Sequence, residues 1–255
     1  MEPQVAADRV SDRFSRADSD INFRSRDGII FKVHSANLKA ASEGFSPPEG
    51  TSSQDDIVSL TEDGETLELL FQYIYPQRHP DPKDIDFKLL AKLAEAAEKY
   101  QVYTAMLICH VRMGDVYADH PFEVMMYAMT HGYADLMDKS ERVALEVSQT
   151  LAFESFPPQV YIAWTRYYAQ WMDLVAHLLK HIGRGNEHTH QHGAQKWFIS
   201  FVGQLDRPVS ILKLDQIFEQ AIIDSRSFSP YQDPSCSTCK GWIVNWRDNE
   251  MRNEI

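Results

Sequence analysis

The sequence predicts an α+β fold: a small sheet near the N-terminus, followed by a run of packed helices. Three observations carry this reading. Residues 21–33, INFRSRDGIIFKV, alternate apolar and polar positions on either side of Asp27-Gly28, the pattern of a β-hairpin. Residues 86–100, DFKLLAKLAEAAEKY, repeat apolar positions at threes and fours, the pattern of an amphipathic helix. From His120-Pro121 to about Lys180 the sequence reads as helical, with breaks expected near Gly132, Lys139 and Pro157-Pro158.

Along the chain, residues 1–18 (MEPQVAADRVSDRFSRAD) are polar and charged and are expected to form a mobile tail with at most one helical turn. Ile21 and Phe23, then Phe31 and Val33, mark the apolar sides of two strands. Asp27-Gly28 suits a two-residue type I′ turn between them. Ser35 offers an N-cap, Leu38 and Ala41 begin a helical stripe, and Gly44 is placed to stop it. SPPEGTSSQDD (46–56) has loop composition, and DIVSL (56–60) reads as a short strand. Asp63 can cap a helix whose Leu67, Leu70, Phe71 and Ile74 share one face and which Pro76 ends. PQRHPDP (76–82) is a stiff connector. Glu95 and Lys99 stand at i,i+4 in the next helix, a favourable surface pair. A further helix follows over 103–113 after a break at Gln101-Val102. GRGNEHTHQHG (183–193) reads as a polar linker. KWFISFVGQL and VSILKLDQIFEQAII read as two more helices, and the end of the chain holds a Cys-x-x-Cys turn.

Composition narrows the function classes. The 255 residues allow one large domain or two smaller ones, and 44% hydrophobic content suffices for a core. A net charge of −12 argues against a nucleic-acid binder, whose affinity draws on phosphate neutralisation, and against an anionic membrane surface. No apolar run reaches the ~20 residues of a membrane span, and no signal peptide opens the chain. Three cysteines make no disulfide framework, which points to a reducing compartment, the cytoplasm or nucleus.

Candidate chemistry is sparse. His34 sits at a strand-to-helix junction, where one imidazole can satisfy exposed backbone groups; without partners it has no route to catalysis. Cys109 and His110 are adjacent on a helix, about 100° apart, so they do not form a nucleophile–base pair. There is no Gly-rich phosphate loop and no Gly-x-Ser-x-Gly elbow. Trp164, Tyr168 and Trp171 fall at helical spacing and read as core or interface residues. Cys236 and Cys239 have the spacing of a zinc knuckle, and His188, His190 and His192 could complete a tetrahedral site, so a zinc-binding or redox protein is the alternative to a protein without cofactors.

Several separate stretches together resemble the BTB/POZ family, in particular its members abundant in fungi. SDINFRSRDGIIFKVHSANLKAASEGF is similar to the family's opening through Asp20, Phe31, Val33, His34, Leu38, Ser42 and Phe45. LLFQYIYPQR and LLAKLAEAAEKYQV are similar to two of its later helices, and HPFEVMMYAMTHGYADL (120–136) to the BACK-like helices that follow the domain in many members. The resemblance implies a flexible tail over 1–18, a BTB/POZ domain over 19–118, a helical extension over 119–182 and a helical, partly irregular region over 183–255. It implies that His34 is structural, packed under the first helix. It further implies a non-enzymatic protein–protein interaction module, acting as a homodimer or as an adaptor on a cullin-type ubiquitin-ligase scaffold. Residues 1–18 read as too short and polar to supply the exchanged N-terminal strand and helix of many dimeric members.

Overall fold

In the computed structural model, residues 9–45, 57–182 and 199–227 are described. The fold is α+β, a four-stranded mixed sheet with helices packed against it. The central pair is the hairpin of β2 (Ile21–Arg24) and β3 (Ile29–Val33), antiparallel with Phe23 opposite Phe31. β4 (Ile57–Ser59) falls within the short strand expected over 56–60 and runs parallel to β2.

Three local expectations are corrected here. The hairpin loop does not use a type I′ turn, which needs positive φ at both central residues; Asp27 lacks it. The Gly28 N–H instead donates to the Ser25 carbonyl (3.0 Å), the Ser25 N–H donates to the Ile29 carbonyl (2.9 Å), and Gly28 alone takes φ 85°. This three-residue loop leaves the strand register intact. Second, residues 9–15, expected in the tail, form β1 (Arg9–Ser15), parallel to β3. The signal is two residues wide: Ser11 and Phe14 are buried within an otherwise exposed, charged strand. The Ser11 hydroxyl donates to Glu68 (3.2 Å), and Phe14 packs edge-on against Phe71 and Tyr75. Polar composition hid this strand because edge strands are commonly charged on their open side. Third, Gly44 does not stop α1 (Ser35–Ala41); Ser42 caps it, and Gly44 serves a close approach to Tyr100.

The helices from α2 to α8 follow most of the expected signals. α2 (Gly64–Ile74) is capped by Asp63, whose carboxylate accepts the Thr66 N–H (3.0 Å), and ends at Tyr75 before Pro76. Leu67, Leu70 and Phe71 are wholly buried. A 3-10 turn at Pro82–Asp84 leads to α3 (Phe87–Tyr100), capped by Asp86. The break before α4 (Tyr103–Val116) is made by Gln101, a non-glycine residue in the left-handed region (φ 51°). The expected Glu95–Lys99 pair is replaced by longer-range partners: Lys99 binds Glu62 (2.7 Å) and Thr61 (2.7 Å), and Glu95 binds His131 (3.1 Å). α5 (Pro121–His131) ends at Gly132 in the left-handed conformation. α6 (Ala134–Ala144) runs through Lys139 without the expected break, since nothing there stops a helix; the chain turns at 145–148 and Ser148 caps α7 (Gln149–Ser155). α8 (Pro158–Ile182) starts at the expected Pro157-Pro158 break.

The chain divides into two units, residues 1–139 and 140–255, with the boundary inside α6. The first unit's core is an aromatic cluster: the ring of Phe71 lies 5.4–5.8 Å from those of Phe14, Phe23, Phe31 and Phe45. The same core runs on through Leu90, Leu93, Ala105, Cys109 and Met113 to Val124, Tyr127 and Leu136. In the second unit a smaller core joins Val175 of α8 to Phe201 on a helical stretch over 199–204 (α9), Leu205 just after it, a 3-10 segment Pro208–Lys213, and α10 (Leu214–Ser227). Phe201 and Phe218 meet at 4.6 Å. Trp164 is buried and Trp171 packs against this core, the core role expected of them; the Tyr168 ring lies 6.2 Å from that of Trp164.

At the joint of β4 and α2, burial by itself would raise the Asp63 carboxyl, but Lys92 (2.6 Å), the Thr66 hydroxyl and the Thr66 N–H outweigh it and hold its pKa down to about 2. A carboxylate depressed on folding stabilises above its unfolded pKa and loses that contribution as pH falls. Stability should therefore decline between about pH 4 and pH 2, and Asp63→Asn should flatten that part of the curve; thermal melts across the range measure both.

Candidate interaction surface

The seven residues of the N-terminal motif each hold a structural contact within the first unit. Asp20 lies outside the strands, yet its carboxylate accepts the Ser35 N–H (2.7 Å) and the Ser35 hydroxyl, so the first turn of α1 is capped from another element. Ser35 is thus the first helical residue and not the cap; the N-cap position is His34. Phe31, Val33 and Leu38 fill the core. The Ser42 hydroxyl donates to the Tyr100 carbonyl, and Phe45 stacks on the Tyr100 ring at 4.2 Å.

His34 is held on three sides. Its N–H donates to the Tyr75 hydroxyl (3.0 Å), its Nδ1 lies 2.8 Å from the same oxygen, and its Nε2 lies 3.4 Å from Asp18. Asp18 is in turn bound by Arg16 through two short contacts (2.9 and 2.7 Å), and that guanidinium holds its carboxyl well below the usual carboxylate range. An Asp–His–hydroxyl series has the outline of a catalytic relay. Here the hydroxyl is a phenol whose pKa burial raises, the reverse of an activated nucleophile, and it already accepts a backbone N–H. The arrangement fastens the β1–β2 connection and the end of α2 to the start of α1. Removing the imidazole takes away one partner of the half-buried Tyr75 hydroxyl, which keeps the backbone N–H of residue 34, so His34→Ala should cost about 1 kcal/mol in a urea melt. Tyr75→Phe, which deletes the shared oxygen, should cost a similar amount.

Two other polar clusters pair within themselves. Glu98 accepts the hydroxyls of Tyr127 (2.8 Å) and Tyr133 (2.6 Å), joining α3 to α5 and to the connection between α5 and α6. Burial, then Glu98, push the Tyr133 phenol up to about 12. A groove of about 490 Å³ lies beside α2 and α3, but its lysines, Lys92 and Lys99, are paired to the carboxylates of Asp63 and Glu62 on its own wall. Cys109 is wholly buried, which pushes its thiol up to about 12 and makes it a core residue as expected. His110 faces away from it, toward Asp135 (3.2 Å).

Among the exposed apolar side chains of the described residues, three form a stripe on the outer face of α4. Ala105, Cys109 and Met113, spaced at i, i+4 and i+8, face the core and are buried. Tyr103, Leu107 and Val111 carry the same spacing offset by two residues, which places them about 200° round the helix. They are 52%, 65% and 58% exposed, so the helix is apolar on both sides. A surface helix normally sets polar residues opposite its core stripe. The sequence carried this signal, two interleaved apolar series in one helix, but it reads as ordinary hydrophobicity until burial separates them.

Among the described residues, no group of three or more His, Cys, Asp or Glu side chains is placed to hold a metal ion. Cys236, Cys239, His188, His190 and His192 lie outside the described residues. No helix among the described residues is long and apolar enough to cross a membrane. No protein-family model matches the sequence, and no curated protein matches it.

Proposed function

We propose that the protein is a non-enzymatic protein–protein interaction module of the BTB/POZ kind, acting in the cytoplasm or nucleus as an adaptor on a cullin-type ubiquitin-ligase scaffold. The observation that carries the interaction role is the exposed apolar stripe Tyr103–Leu107–Val111 on α4. Clustered apolar side chains on a rigid helix are the usual anchors of a protein interface, whereas singly scattered ones need no explanation. The fastening of His34 by Asp18 and Tyr75 favours an architectural role for the residue most suggestive of chemistry. The net charge of −12 favours protein partners over nucleic acid. Affinity purification from cells with mass spectrometry tests the reading. A cullin recovered in stoichiometric amount is the expected result; recovery of no protein partner contradicts it.

A further inference from the structure

We draw no further inference here: the strongest candidate, the exposed apolar stripe Tyr103–Leu107–Val111 on α4, belongs to the surface already described, and nothing in the structure shows what covers it.

Discussion

Phe71→Ala is expected to lower stability by about 3–5 kcal/mol, a large share of the ~5–15 kcal/mol that holds an ordinary domain folded. Phe71 has no exposed surface, and four other phenylalanine rings pack within 6 Å of it, one each from β1, β2 and β3 and one from just after α1. Truncation therefore opens a cavity where the sheet, α1 and α2 meet, and the surrounding rings are too rigid to fill it without leaving their rotamers. Phe71→Leu keeps most of the volume and should cost less than half as much. Urea melts followed by far-UV circular dichroism measure both. Equal losses for the two variants would mean that the cluster is not packed as a unit.

Gly44→Ala should be the most damaging change at an exposed position, at about 3 kcal/mol, the upper end of the overpacking range. A Cβ at residue 44 would lie 2.6 Å from the backbone C, Cα and O of Tyr100. Backbone cannot rotate aside as a side chain can, so the segment must lift. Lifting it breaks the bond from the Gly44 N–H to the Tyr100 carbonyl (3.0 Å) and disturbs the Phe45–Tyr100 stack. Gly114→Ala provides a comparison of opposite sign. Its Cβ would meet only the Leu136 side chain at 3.5 Å, an ordinary contact, and alanine in a helix interior gains ~0.5–1 kcal/mol over glycine. Thermal melts of the two variants should move in opposite directions.

The elements legible in the sequence were those with a cap and a period. The Asp63 cap announced α2, the apolar period of residues 86–100 announced α3, and Pro121 and Gly132 bracketed α5. The elements missed were those decided by tertiary contact. β1 is charged and pairs in parallel with a strand that follows it, so neither composition nor a hairpin turn marks it. The capping of α1 by Asp20 joins residues fifteen apart, and local rules assign that task to Ser35. Around His34 the partners Asp18 and Tyr75 come from a presumed tail and a distant helix end. The α4 stripe was hidden for a different reason: periodicity reports which residues share a face, not which face is covered.

The interaction role is tested most directly by comparing wild-type protein with Leu107→Asp in capture of the partners recovered by affinity purification. Leu107 is 65% exposed, so the substitution places a charge in the middle of the stripe without entering the core. The account predicts an unchanged thermal melt and at least a tenfold loss of cullin capture, about 1.4 kcal/mol of binding free energy. Undiminished capture by a folded Leu107→Asp variant would contradict it.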